Sequence, residues 1–325
     1  MLHISPASEL QLTRIFFTTD VHASDRCFRK FLNAAKVYKS DALILGGDIT
    51  GKVLVPISEA PDGSFTLTLF GRETNVKNDK LPETRKALQD AGQYSIVTTK
   101  TELAEMQSEK SKAQKVFNKV MADSVATWME LAEERLKGTN VRCYISPGND
   151  DIFDIDASLA DSDHIINPEN KVVELDGGFE MITLGYANPT PWHSPRELSE
   201  AKLGEMIEAL ASNVKRPDNA VYNLHVPPIG TQLDKAPAVS HDFNYVKEGL
   251  GIKFIHAGSS AVRESIEKHG PLLGLHGHIH ESKGFEKLGR TLCLNPGSEY
   301  SDGILRGALV NLEDGGVHDY MLTSG

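Results

Sequence analysis

The stretch Thr13-Arg-Ile-Phe-Phe-Thr-Thr-Asp-Val-His22 decides the fold. Its first seven residues are mostly β-branched or aromatic, the composition of a buried strand, and they run directly into an Asp-x-His triplet. Phe28, Phe31, Leu32 and Ala35 then recur at i, i+3, i+4 and i+7, which predicts a helix. Ala42-Leu-Ile-Leu45 reads as a second strand and ends in Gly46-Gly-Asp48. Strand, helix and strand over so short a span make a βαβ unit, whose two strands lie parallel.

The next strand of this kind, Val141-Arg-Cys-Tyr-Ile-Ser146, arrives about 95 residues later, whereas a βαβ repeat takes roughly 30. Residues 51–140 therefore read as an insertion. From Lys52 to Val76, apolar and polar residues alternate around Pro61-Asp62-Gly63, which predicts a β-hairpin. From Thr101 to Lys137, Leu103, Met106, Ala113, Val116, Phe117, Val120, Met121, Trp128 and Leu131 keep helical spacing and predict one long helix. Such an insertion serves as an extra packing layer, as a cap over a site, or as a contact between copies of the chain.

After Asn149 the pattern turns to strands, at 171–175, 179–186, 219–225, 272–275, 291–294, 307–312 and 318–322. Helices are predicted at 194–213 and 260–268. No linker rich in Pro, Gly or Ser divides the chain, so residues 1–325 read as one domain with an insertion.

Lys and Arg number 34 against 45 Asp and Glu, a formal net charge of −11. That balance disfavours a nucleic-acid sleeve or a binder of anionic membranes, both of which need a basic face. Three widely spaced cysteines, Cys27, Cys143 and Cys293, point to a reduced interior and no disulfide framework. Met1 to Leu10 lacks the pattern of a signal peptide, and no apolar run is long enough to span a membrane, so a cytoplasmic location is expected. Neither GxxxxGK[ST] nor GxGxxG occurs, which disfavours an ATPase or a dinucleotide enzyme, and there is no GxSxG elbow of a serine hydrolase.

Five short motifs sit at or just past strand ends, where open α/β sheets place their ligands. They are Asp20-Val-His22, Gly46-Gly-Asp48, Gly148-Asn-Asp150, Asn223-Leu-His225 and Gly277-His-Ile-His280. Carboxylates, an Asn carbonyl and imidazoles are together a donor set for divalent transition metals such as Mn, Fe or Zn. Each motif alone occurs by chance. All five in this order, followed by Asn295-Pro-Gly-Ser298, resemble the calcineurin-like metallophosphoesterase superfamily over about 20–50 and 140–312.

The resemblance implies an α/β (α+β) fold, an αββα sandwich of two mixed sheets flanked by helices. It also implies two divalent ions. Asp20, His22 and His280 would hold the first, Asn149, His225 and His278 the second, and Asp48 would bridge them. A hydroxide shared by the ions would attack phosphorus, in a hydrolase of a small-molecule or nucleotide phosphate ester. A fold relative that only binds a partner, and a nuclease, are the alternatives.

One position departs from the family pattern, which has Gly-Asn-His where this chain has Gly148-Asn-Asp150. Asp150 either acts as a general acid or turns toward a neighbouring partner. His193 and His241 are the histidines available to replace the missing one. Arg196 and Trp192 are candidates for contact with a substrate phosphate and base. His276 is expected to be structural, since the resemblance assigns the ligands to His278 and His280.

Overall fold

The computed structural model describes residues 12–69 and 71–325, so the opening stretch Met1 to Leu10 lies outside the described residues. In chain order it runs from β1 (Thr13–Thr18) through α1 (Asp25–Tyr38) to β2 (Ala42–Gly46). The inserted span holds β3 (Val53–Glu59), β4 (Phe65–Leu69), β5 (Arg72–Val76), α2 (Leu81–Asp90), β6 (Gln93–Thr98), α3 (Lys100–Ser108) and α4 (Lys110–Leu136). Next come β7 (Arg142–Ser146), β8 (Ile165–Ile166), β9 (Val172–Leu175), β10 (Phe179–Leu184), α5 (Glu200–Ala211) and β11 (Ala220–Leu224). A small arm follows, made of β12 (Lys235–Pro237), β13 (Lys247–Glu248), β14 (Gly251–Ile252) and β15 (Phe254–His256). The chain closes with α6 (Ser260–His269), β16 (Leu273–Leu275), β17 (Gly284–Leu288), β18 (Thr291–Asn295), β19 (Arg306–Glu313) and β20 (Gly316–Ser324).

Two six-stranded sheets dominate, in the orders β20-β19-β1-β2-β7-β8 and β17-β18-β16-β11-β10-β9. Each has four parallel strands and takes its antiparallel partners at the edges. Successive side chains of a strand point to opposite faces, and that period of two builds the layers. Ile15, Phe17, Ile44 and Tyr144 of the first sheet meet Met181, Val221, Leu273, Leu275 and Leu294 of the second in a shared core. Phe16, Leu43, Leu45, Cys143 and Ile145 face the other way, onto α1 and α4. Ile182, Leu184, Tyr222, Leu224 and Cys293 face α5 and α6. The result is the helix, sheet, sheet, helix sandwich expected from the sequence. All three cysteines are buried and unpaired.

The insertion is richer than a hairpin and one helix. β3 and β4 do form the hairpin, but β6 pairs parallel to β3 after α2, giving a four-stranded sheet in the order β5-β4-β3-β6. The long helix breaks at Glu109, whose extended backbone (φ −126°, ψ 95°) separates α3 from α4. α4 buries Met121, Val125, Trp128, Met129, Ala132 and Leu136 as part of the outer layer. Trp128 stacks on Phe28 of α1 with ring centroids 4.1 Å apart and planes 2° from parallel. Its indole N–H donates to buried Asp25, which also accepts from Arg29 and Lys86, so one carboxylate ties α1, α2 and α4 together.

Trp128→Ala removes that stack and opens a cavity under α4, and should destabilise the protein by about 3–5 kcal/mol. Urea unfolding followed by far-UV circular dichroism checks this. A loss below about 1 kcal/mol would mean that α4 is a peripheral addition rather than a layer of the fold.

Candidate metal centre

Parallel strands from both sheets end at one place, and the chain reverses there within one or two residues. Asp20 and His22 follow β1, Asp48 follows β2, Asn149 follows β7, His225 follows β11, and His278 and His280 follow β16. Asp20, His22, Asp48 and His278 have φ of 53°, 39°, 51° and 66°. For residues with a Cβ this left-handed region costs on the order of 1 kcal/mol or more each, so the surroundings must hold it in place. Backbone bonds help: Asp20 N–H donates to Gly47 C=O at 3.0 Å, His22 N–H to Asp48 C=O at 3.0 Å, and Ala23 N–H to Ile49 C=O at 2.8 Å. Close approach matters as well, because a Cβ on Gly148 would lie 2.2 Å from both the backbone nitrogen and Oδ1 of Asp48.

Asp151, which the motif reading passed over, clamps two of these loops. Fully buried, it accepts from Ile49 N–H (3.0 Å), Thr50 N–H (2.8 Å), the Thr50 hydroxyl (2.5 Å) and Gly148 N–H (2.7 Å). Glu169 does a related job one loop further on, accepting from Gly185 N–H with both carboxylate oxygens. The only sequence signal for Asp151 was an acid next to the Gly-Asn-Asp motif, with nothing to say which way it pointed.

All seven predicted ligand residues come together. His280 Nε2 lies 3.3 Å from Asp20 Oδ1 and 3.1 Å from His22 Nε2. Asp48 stands between two groups, with Oδ2 3.7 Å from His22 Nε2 and Oδ1 3.5 Å from His225 Nε2. Asn149 donates its amide N–H to Ser194 and Asp150, which turns its carbonyl oxygen inward to 2.6 Å from His278 Nδ1.

The donor set fits divalent metal ions on three observations. His22 Nδ1 lies on the Thr50 carbonyl at 3.1 Å and His225 Nδ1 on the Gly46 carbonyl at 2.9 Å, which puts the ring protons there and leaves both Nε2 lone pairs aimed inward. His225 Nε2 is buried and has no hydrogen-bond partner. Ligand atoms of Asp20, His22 and His280, and of Asp20, Asp48 and His225, lie within 4.8 Å of one another.

Electrostatics reflect the crowding. Burial opposes ionisation of Asp20, but hydrogen bonding and charge attraction from His280, His225 and His22 hold it well below the usual carboxylate range. Burial and the neighbouring Asp150 push Asp48 up to about 7. Burial disfavours charge on His225, yet Asp48 and Asp20 outweigh it and lift the ring to about 10. Burial and the Lys52 ammonium push His22 down to about 3, and burial with His225 takes His278 to about 4.

The remaining candidates separate. Asp150 is at the site: its N–H donates to Asp48 Oδ1 at 3.0 Å and its carboxylate pairs with Lys52. Burial opposes its ionisation, but Lys52 holds it below the usual range, so it carries no proton to donate near neutral pH. Arg196, expected at the substrate, is instead only 2% exposed. Its Nε and Nη2 donate to the carbonyls of Asp151 and Ile152, and Nη2 also pairs with Asp156, so this edge of the guanidinium is taken up by the protein itself. His193 is exposed in a left-handed turn and makes no side-chain hydrogen bond to the cluster. Trp192 is exposed beside Phe243, and His241 is fully exposed next to Asp242, so neither joins the cluster. His276 is buried on the Leu224 carbonyl at 2.7 Å, the structural role expected of it. Lys52, from the first residues of the insertion, was missed because a lone lysine before a strand looks like a solvated one. A cleft of about 730 Å³ between α1, α2 and α4 lies elsewhere and is lined by ion pairs such as Asp25 with Arg29, so donor chemistry rather than volume locates the site.

Two solved structures superpose over nearly the whole chain. One has a TM-score of 0.59 at 16% identity, covering 96% of this chain and 99% of that one. The other, TT1561 of Thermus thermophilus, has a TM-score of 0.54 at 15% identity, covering 97% and 99%. At these identities the likeness shows a shared fold and nothing more. In sequence, the uncharacterized protein MJ1162 of Methanocaldococcus jannaschii is 30% identical over 152 residues, 46% of this chain and 61% of that protein, so the match spans less than two thirds of the relative. No family model matches the chain. Among the described residues no helix is long and apolar enough to cross a membrane.

Asp151→Ala strands three backbone N–H groups and a hydroxyl in the interior. It should cost about 3–5 kcal/mol in urea unfolding and lower divalent-metal affinity at least about tenfold. A variant with wild-type stability and metal affinity would remove Asp151 from its clamping role. A pH dependence follows from Glu169, which burial lifts from 4.5 to about 7 against the pull of the Gly185 N–H. A carboxyl with a raised folded pKa favours the folded state at low pH and loses that advantage as pH rises through the folded value. Relative to Glu169→Gln, the native protein should therefore lose stability between pH 4.5 and about 7. Parallel stability–pH curves for the two proteins would contradict this.

Proposed function

We propose that the protein is a metal-dependent hydrolase of small-molecule or nucleotide phosphate esters. The observation that carries the reading is the position of Asp48, whose two carboxylate oxygens face two separate groups of ligand atoms, His22 on one side and His225 on the other. Asp20, His22 and His280 would hold one divalent ion, Asn149, His225 and His278 a second, and Asp48 would be shared. Such a pair supplies Lewis acidity toward a phosphoryl oxygen and an activated water at neutral pH, and a donor set of this kind suits Mn, Fe or Zn.

The chain's own residues do the rest. The Thr50 and Gly46 carbonyls keep the His22 and His225 protons on Nδ1, so neither ring turns its Nε2 away. Asp151 and the left-handed turns fix the ligands before anything binds, which spares the cost of ordering them later. The site opens on the side of His280 and Asp150, both partly exposed, and there an ester would enter. A small ester also suits a net charge of −11 better than a polyanionic nucleic acid does.

With added Mn²⁺ the protein should hydrolyse p-nitrophenyl phosphate, its bis ester, or both. Asp48→Asn should lower kcat/KM by on the order of 10²–10³ or more, together with bound metal. Failure to hydrolyse either ester, in protein that retains no metal, would overturn the reading.

A further inference from the structure

We infer that Lys52 is a phosphate-binding residue of this site and that Asp150 is its positioning residue, a pair standing where the family pattern has a histidine; the inference rests on the proposed phosphoesterase reading. The Lys52 ammonium pairs with Asp150 Oδ2. The Asp150 carboxylate is itself within 4.8 Å of ligand atoms of His22 and Asp48, so the ammonium stands one contact away from the candidate metal ligands.

Several contacts fix this placement. Thr50 is held through its N–H and hydroxyl by Asp151, and the Gly51 N–H donates to the Tyr94 hydroxyl at 3.1 Å. The two residues before Lys52 are thus clamped from opposite sides, by the sandwich and by β6 of the insertion. The insertion also presses on the site directly, since a Cβ on Gly92 would lie 2.3 Å from the His22 carbonyl oxygen and 3.0 Å from the Tyr300 ring. Asp150 is fixed in turn by its N–H on Asp48 and by the Asn149 amide on its Oδ1.

An anionic Asp150 alone would repel a phosphate arriving at the ligands. Paired with Lys52 it is neutralised, and the ammonium has further N–H donors for a phosphoryl oxygen. The side chain of Lys52 is half-exposed, so its head group can reach an incoming anion while its backbone stays fixed. On this account the insertion contributes a residue to the site and is more than a packing layer.

The test is calorimetric titration of inorganic phosphate into Mn²⁺-loaded wild-type, Lys52→Met, Lys52→Arg, Asp150→Ala and Lys52→Met/Asp150→Ala proteins, with metal content and p-nitrophenyl phosphate kinetics measured alongside. Lys52→Met should weaken phosphate binding roughly 10–100-fold, the loss of one charge-assisted hydrogen bond, at unchanged metal content. Lys52→Arg should retain most of the affinity. Asp150→Ala should lose about as much as Lys52→Met, and the double variant no more than either. Wild-type affinity in Lys52→Met, in a protein that binds phosphate and turns over ester, would overturn the inference and leave the phosphoesterase reading standing. Tighter phosphate binding by Asp150→Ala would overturn the positioning role. A metal-loaded wild type that neither binds phosphate nor hydrolyses ester would overturn both the inference and the reading beneath it.

Discussion

The carboxylate of Asp151 is the interaction on which the site depends. Parallel strands deliver their ends to one edge of the sandwich, but each end would run on past the others unless the chain turned sharply. Asp151 takes four hydrogen bonds from two of those turns and locks the loop after β2 to the loop after β7. Asp48 and Asn149 then stand side by side, because each is within two or three residues of a group that Asp151 holds. Arg196, which binds the backbone carbonyl of Asp151, braces the clamp from behind.

Locking the turns packs ionisable groups closely together in the interior. Asp20 and Asp48 are almost wholly buried, and so are the His22 and His225 rings around them. Burial pushes Asp48 up to about 7, while the carboxylates lift His225 to about 10, so each group is held far from its ordinary protonation behaviour. Ionisable groups this closely packed cost folding free energy unless they are compensated, and a divalent ion compensates them most directly. The left-handed backbone at four of the seven residues adds to that cost. Strain and buried charge gathered at one point are the mark of a site kept for function rather than for stability.

The sandwich was legible because its central strands are short, strongly apolar and closed by Gly, Asp or His. The period of two in Ile15, Phe16 and Phe17 already assigns neighbouring residues to opposite layers. The residues that cluster were legible as five motifs in order, although no single one sufficed. What escaped were features set by contacts distant in sequence. α2 and β6 bury little beyond Leu88, Tyr94 and Thr98, so neither shows a clean apolar stripe. Helical spacing runs across Glu109 without a break, although its backbone is extended there. Arg196 looked available because sequence shows a charge and not the carbonyls that occupy it. Lys52 and Asp150 lie about 100 residues apart, and only the fold brings them together.

The central claim is that seven side chains from five loops form one binuclear centre with Asp48 shared. Anomalous X-ray diffraction from Mn²⁺-loaded crystals tests it most directly. The account predicts two peaks about 3.5–4 Å apart, one beside Asp20, His22 and His280 and one beside Asn149, His225 and His278, with Asp48 between them. No anomalous peak at these residues, or a single ion bound elsewhere on the surface, would contradict it.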